Sequence, residues 1–278
     1  MIQILVFFRE LSKTWQNGAV TPKNLFQQPD EWPITTAKVW IFRANIWLAI
    51  AGMCFALLLG LGAAFFWPAV LVLNLLVIGL LILGWASLIG LPSQKTSQLG
   101  MILIALLGVL AAIFRDIHWI ALIAGIGILL AFVQEMFRKQ SALRRLEQIS
   151  GSYLGMILIL SATFWTQTVT SEFGKQVVLV FSAVIGVVSL ISLFTTRSVF
   201  VVSLINALTF GIGIAYLLDV YLSVGAIAGV VVAVAYRLSF EAFNSVYRTP
   251  AALPVLAYIA LPTAAIGFIA QATVMILG

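Results

Sequence analysis

The stretch AVLVLNLLVIGLLILGWASLIGL, from Ala69 to Leu91, contains no charged residue and is long enough to cross a membrane as one helix. A helix needs about 20 apolar residues to span the hydrocarbon core. Between Ala44 and Leu277 the chain repeats this pattern, with short turns between the apolar runs. Because the runs are continuous rather than alternating in polarity, a transmembrane barrel is excluded. The sequence therefore predicts an all-α, polytopic transmembrane helical bundle.

Composition supports this fold class. Apolar residues make up 63% of the chain and charged residues only 9%, whereas about a quarter of the residues in a soluble domain are charged. The net charge is +6, but no folded basic domain presents a patch, so we do not expect nucleic-acid binding. The cations are better explained as cytoplasmic anchors of the membrane spans.

We predict about nine spans, with the amino terminus inside and the carboxyl terminus outside. Asp219 is predicted to lie at the tip of a hairpin within Phe200–Tyr236, because that run is too long for one span. The spans are Asn45–Phe66, Ala69–Leu91, Leu99–Phe114, Trp119–Phe137, Ser152–Val169, Gln176–Phe194, two within Phe200–Tyr236, and Ala251–Leu277. A polar loop, Arg237–Thr249, is expected before the last span.

The distribution of cations sets the orientation. On this path only Arg115 and Lys175, of the 15 Lys and Arg residues, fall outside. Cytoplasmic turns carry the excess of Lys and Arg in membrane proteins. The chain accordingly divides into a cytoplasmic amphipathic amino-terminal segment and linker, residues 1–43, and a transmembrane domain, residues 44–278. The opening segment either lies on the membrane surface or is a tail that the bundle partly orders.

Glu135 is the best candidate among ionisable residues inside the membrane, which are the usual pointers to function. It lies near the cytoplasmic end of the fourth span, beside Gln134 and one turn before Arg138. The simpler interpretation is structural, since Glu135 and Arg138 have the i,i+3 spacing of a helical ion pair.

Uncharged polar residues inside the spans have two open interpretations. Thr163, Gln167 and Asn206 either line a polar path or form hydrogen bonds between helices. The basic stretch that includes Arg138, Lys139, Arg144 and Arg145 either holds anionic lipid headgroups or only sets the topology. It is expected to form a short surface helix between Arg138 and Glu147.

Small residues at helical spacing predict tight helix packing. Gly151 with Gly155, and Gly225 with Gly229, form GxxxG pairs. Further close-approach positions are expected at Gly60, Gly62, Gly125, Gly127, Gly211 and Gly213. Two prolines, Pro254 and Pro262, are predicted to bend the last helix.

Catalytic chemistry is not indicated. Cys54 and His118 are the only residues of their types, and no nucleotide-binding, metalloprotease or serine-hydrolase motif is present. A catalytic site needs an acid, a base or a nucleophile within hydrogen-bond reach. We therefore expect no catalytic residue, no cofactor and no metal site, and a protein that is not an enzyme.

One part of the sequence resembles a known family. It contains Gly90-Leu91-Pro92, the helix end Phe132-Val133-Gln134-Glu135-Met136-Phe137-Arg138, and the run Arg144-Arg145-Leu146-Glu147-Gln148-Ile149-Ser150-Gly151. This resembles uncharacterised polytopic integral membrane proteins of actinobacteria, often labelled permeases. The resemblance implies a multi-pass protein of the cell (plasma) membrane.

Three functions remain open at this point. The first is a permease for a small solute, which predicts a cavity at mid-depth. The second is a membrane scaffold or subunit of a larger envelope or transport assembly, which the glycine-rich helix faces, the lack of charge inside the membrane and the amphipathic amino terminus favour. The third is a lipid-handling protein. Expected partners are membrane lipids and other membrane subunits; no substrate is indicated.

Overall fold

The protein is described by a computed structural model that covers residues 34–114, 117–137, 144–192, 200–246 and 252–278. The chain divides into two compact units, Met1–Val39 and Trp40–Gly278, and the candidate membrane spans lie in the second. Of the predicted amino-terminal segment and linker, residues 1–43, residues 1–33 lie outside the described residues, and residues 34–43 belong to a helix rather than to a linker. The described ranges form the helices α1 (Ile34–Phe65), α2 (Trp67–Leu88), α3 (Gln94–Phe114), α4 (Ile117–Met136), α5 (Arg145–Thr168), α6 (Glu172–Ser192), α7 (Phe200–Leu217), α8 (Leu222–Val246) and α9 (Ala252–Leu277).

The predicted helical bundle is confirmed. Among the residues that the structure describes, eight helices are long and apolar enough to cross a membrane. In α7 the described apolar stretch, Val201–Leu217, is shorter, although its length is close to the lower limit of about 17 residues for a span. The predicted hairpin at Asp219 is also confirmed, because α7 and α8 flank that residue. The chain is therefore a multi-pass integral membrane protein.

Two predicted boundaries were wrong. Arg145 and Glu147 belong to α5 rather than to a separate surface helix, and α8 continues to Val246 through most of the predicted polar loop. The pairs at these ends have helical spacing: Arg237 bonds Glu241 at 2.7 Å, and Arg144 bonds Glu147 at 2.5 Å. Such pairs stabilise a helix where it leaves the apolar layer, so the helices extend beyond the spans.

Two consecutive rings of four helices organise the bundle. In the first, each of α2, α3, α4 and α5 packs on the next, and α5 closes the ring on α2. The helices α6, α7, α8 and α9 repeat this order of contacts, with α9 closing on α6. Because α9 also packs on α2 and α5, it joins the two rings. The first helices of the two rings, α2 and α6, begin at the same end of the bundle, so the two rings are parallel in orientation.

The helix ends form two layers. Gly84, near the end of α2, touches the backbone of Leu253 at the start of α9, and Tyr258 of α9 bonds Asn45 of α1. We call this the basic end, because the described side chains of Lys95, Arg144, Arg145 and Arg237 lie there. At the opposite end, the far end, Gly278 touches Phe173 of α6. The described start of the bundle and its last residue therefore lie on opposite sides, as the odd number of predicted spans requires.

The α7–α8 hairpin has the closest helix packing. A Cβ atom at Gly211 would lie 2.2 Å from the carbonyl oxygen of Gly225, and one at Gly229 would lie 2.5 Å from that of Ala207. Asp219 adopts φ 54° at the tip, and the Val220 amide donates to the Ala215 carbonyl. This is the left-handed helix end that aspartate tolerates. The predicted Gly225/Gly229 contact is thus confirmed.

The close approaches predicted at other glycines are confirmed at some positions and wrong at others. Gly60 of α1 packs against Ser182 of α6, which confirms a close approach there. Gly125 and Gly213 have no neighbouring atom within 4 Å of an added Cβ, so the close approach predicted for them was wrong. Both face outward from their helices. Glycine spacing alone does not show which face of a helix is buried.

Exposed aromatic side chains flank the far-end turns. Phe66 and Trp67 border the α1–α2 turn, Trp119 begins the described side chains of α4, and Tyr216 and Tyr221 border the α7–α8 turn; all are exposed. Aromatic residues concentrate at membrane–water interfaces. The far-end turns therefore match one interface of the bilayer.

Replacing Gly211 with alanine is expected to destabilise the protein, whereas Gly213→Ala on the same helix is a matched control. The first change forces a methyl group into the α8 backbone, which costs about 1–3 kcal/mol or more. The second meets open space and gains helix propensity, up to about 1 kcal/mol. Thermal unfolding in detergent measures both. Equal melting temperatures for the two variants would contradict the described α7–α8 contact.

Candidate functional site

A polar seam joins α5 to α9 and α2 through the middle and far half of the bundle. Trp165 donates from Nε1 to the Thr263 carbonyl at 2.9 Å, and Thr168 bonds Gln271 at 2.9 Å. Asn74 of α2 donates to the Thr166 hydroxyl. These residues are remote in sequence, and hydrogen bonds between helices are favourable where no water competes. The seam therefore links the two rings.

Close backbone contact accompanies these bonds. Ser161 accepts from the Phe268 amide at 3.0 Å and donates to the Ala265 carbonyl at 3.3 Å. A Cβ atom at Gly267 would lie 2.2 Å from the Ser161 carbonyl oxygen. Trp165, in the same helix, is 1% exposed. The middle of the bundle is consequently filled by protein where α5 and α9 cross.

The predicted polar candidates are separated by the fold. Thr163 is buried on α5 and donates to its own Leu160 carbonyl at 2.7 Å. Gln167 is buried on α5, and its Nε2 makes no hydrogen bond to the described residues; the same is true of the Thr263 hydroxyl. Asn206 is half-buried on α7, which packs on α6 and α8. Thr163 and Gln167 both lie on α5, in the first ring, whereas Asn206 lies on α7, in the second ring.

The two prolines differ in effect. Pro262 lies inside α9, where it removes a backbone donor from the helix. Pro254 lies in the first turn of α9, where the N–H group would have no helical partner. The prediction that both prolines bend the helix was therefore wrong for Pro254. The helix continues through Pro262, and the neighbouring Thr263 carbonyl accepts from Trp165.

The Gly151/Gly155 pair makes room for an indole ring. A Cβ atom at Gly155 would lie 2.5 Å from Trp85 Cδ1, and Trp85 Nε1 donates to the Gly151 carbonyl at 2.8 Å. The predicted tight packing is present, but it joins α5 to a side chain of α2 rather than to a second helix backbone. Trp85 is 4% exposed.

Glu135 is buried at the basic end. Only 5% of its side chain is exposed, and its Oε1 lies 3.7 Å from Arg145 Nε. The predicted partner Arg138 and the neighbouring Lys139 lie outside the described residues. Arg145 therefore supplies a cation that sequence spacing did not indicate, from the start of the following helix. Gln134, next to Glu135, packs over Gly100 of α3.

The side-chain amide of Gln148 bonds the turn between α2 and α3. Gln148 is 4% exposed; it accepts from the Ser93 amide at 3.0 Å and donates to the Ser93 carbonyl at 3.2 Å. Arg144 pairs with Glu147 at 2.5 Å and donates to the Gly90 carbonyl at 3.4 Å. Arg144 and Arg145 thus both have protein partners, which supports a structural part for this basic stretch.

A cavity with a partly polar lining, which we call the basic-end cavity, lies where α1, α6, α7, α8 and α9 meet. Its volume is about 40 Å³, and its polar lining residues are Asn45, Ser192, Ser203, Tyr236, Arg237 and Tyr258. Tyr258 donates to Asn45 Oδ1 at 3.0 Å. Sequence reasoning missed this site, because its side chains come from five helices and share no motif.

Other chemistry is limited in the described part of the chain. There, no group of three His, Cys, Asp or Glu side chains is placed to hold a metal ion. At the far end a wide depression lies between the start of α6 and the α7–α8 tip, with Gln176 and Asp219 in its wall. Cys54 is exposed on the lipid-facing side of α1.

Comparisons with known proteins add no assignment. No family model, no curated protein and no solved structure matches this chain. The resemblance to an actinobacterial membrane family stays a prediction.

Glu135→Gln and Arg145→Gln, alone and together, should show that the two side chains are coupled. We expect an interaction free energy of about 0.5–3 kcal/mol, because Glu135 is buried and residues in one ion pair do not contribute additively. The free energy of unfolding in detergent provides the measurement. A matched cycle on the exposed pair Glu172 and Lys175 should give about 1 kcal/mol or less. Additive effects at Glu135 and Arg145 would contradict a direct pair.

Proposed function

We propose that the protein is a scaffold or subunit of a larger envelope or transport assembly in the plasma membrane, without catalytic activity of its own. The observation that supports this is the closed α5–α9 seam, where Ser161, Trp165 and Thr168 all bond α9. A rigid middle suits a protein that holds neighbours in position. It does not suit one that must open a path for solute.

The closure has a physical basis. Ser161, Trp165 and Thr168 bond across helices, and glycine lets the backbones of α5 and α9 touch at Gly267. Opening such a contact in lipid would expose hydrogen-bonding groups to a solvent that cannot satisfy them. The described cavity and depression lie at the two ends of the bundle rather than at mid-depth.

A permease is the second candidate, and two observations favour it. The rings α2–α5 and α6–α9 have the parallel arrangement seen in transporters whose substrate site lies between repeats. Gln167 Nε2 and the Thr263 hydroxyl are buried on α5 and α9, one helix from each ring. In a permease these two groups would contact the solute in an open state.

Orientation belongs to the proposal as well. The structure describes five Lys and Arg side chains. Four of them lie at the basic end, namely Lys95, Arg144, Arg145 and Arg237, and Lys175 lies at the far end. The positive-inside rule then places the basic end in the cytoplasm.

Single cysteines in a Cys54→Ala background distinguish the two functions without a known substrate. We expect Thr163→Cys and Gln167→Cys to resist a membrane-impermeant maleimide from both sides, because both side chains are buried in the bundle. Asp219→Cys should react only from outside in intact cells, and Lys95→Cys only from inside in inverted vesicles.

Labelling at residue 163 or 167 from either side would contradict the scaffold and support the permease. Labelling of residues 95 and 219 from the same side would contradict the topology. The extent of labelling is quantified on gels. The Cys54→Ala protein, which has no cysteine, is treated in the same way as the background control.

A further inference from the structure

We propose that the basic-end cavity binds a phosphate group, carried either by the headgroup of an anionic phospholipid or by free inorganic phosphate. This inference does not rest on the scaffold function, since a subunit or a permease could equally hold such a ligand.

The walls of the cavity suit an anion. Arg237 supplies a guanidinium group, and five other residues with hydroxyl or amide groups line the cavity; of these, Ser192 donates to the Ser189 carbonyl at 2.6 Å. None of the described lining residues is acidic. Glu241 pairs with Arg237 Nη2 at 2.7 Å but is not part of the wall. A guanidinium has five N–H donors and matches the geometry of phosphate oxygens.

The polar groups are held in place before any ligand binds. Tyr258 is fully buried, its ring stacks on Phe243 at 4.3 Å, and its hydroxyl donates to Asn45 Oδ1. Because that bond occupies the amide oxygen, Asn45 has its NH₂ group as a donor. Tyr236, 5% exposed, forms a second wall. Buried polar groups in a membrane protein are costly and usually mark function.

The position of the cavity agrees with this ligand, and the cavity is large enough to admit water. The cavity holds about 40 Å³, more than the roughly 10–15 Å³ that one water molecule needs. It lies at the end that is proposed to face the cytoplasm, where anionic lipid headgroups concentrate. Arg237 is partly exposed, with 20% of its side chain accessible, so a ligand can reach it from the surface.

The test uses the full-length protein purified in a neutral detergent and stripped of lipid. Its melting temperature is measured with sodium phosphate against sodium chloride at equal ionic strength. It is also measured with mixed micelles of phosphatidylglycerol against phosphatidylcholine. Stabilisation by phosphate identifies free phosphate as the ligand, and stabilisation by phosphatidylglycerol alone identifies a lipid headgroup. No selective stabilisation in either arm overturns the proposal.

Variants locate the site. Arg237→Gln should weaken binding of the active probe by about tenfold or more, since a charge-assisted hydrogen bond contributes about 1.5–3 kcal/mol. Arg144→Gln removes the same charge at the same end but outside the cavity, and it should leave the affinity unchanged. An equal loss in both variants would mean general attraction to a basic surface and would overturn the assignment.

Two further variants keep the test decisive if Arg237→Gln fails to fold. Tyr258→Phe retains the stacked ring but releases Asn45, and should weaken binding by about fivefold, as expected for one neutral hydrogen bond. Glu241→Gln removes the carboxylate that competes for Arg237 and should strengthen binding. Unchanged affinity in both variants would place the ligand elsewhere.

Discussion

The absence of water in the bilayer core is the constraint on which the structure depends. A buried polar group there is stabilised by a partner inside the protein, and this explains why α5 bonds α2 and α9 rather than facing lipid. Trp165 donates to Thr263 and Asn74 donates to Thr166. The same constraint favours glycine at the crossing, because Gly267 allows α9 to approach the α5 backbone. Polar pairing and close packing therefore reinforce each other along one seam.

This seam gives meaning to the two four-helix rings. Each ring is closed by contact between its first and last helices, and α9 joins them through α2 and α5. The helix α4, in contrast, packs on α3 and α5, and only 28% of its most apolar window is buried. The contacts that join the two rings are thus concentrated near α5 and α9. A separate group of polar side chains of the second ring lies at the basic end, around Arg237 and Tyr258, where solvent is close.

The fold class could be predicted from the sequence, because apolar run length alone determines which segments can cross the bilayer. The hairpin at Asp219 followed from the same argument. Helix ends were less predictable, since pairs such as Arg237 and Glu241 extend a helix beyond its apolar part. The partner of Glu135 and the lining of the basic-end cavity could not be predicted, because both depend on which helices become neighbours. Glycine spacing was similarly ambiguous: Gly211 is a contact, whereas Gly213 is open.

The central claim is that the α5–α9 seam is dry and closed. Amide hydrogen exchange in lipid nanodiscs tests it most directly, with peptides from the middle of α5 and α9 compared with those from the helix ends. The account predicts that amides from Ile159 to Gln167 and from Thr263 to Ala270 remain protected while the helix ends exchange. Rapid exchange within these two stretches would show that water reaches the seam, and it would contradict the account.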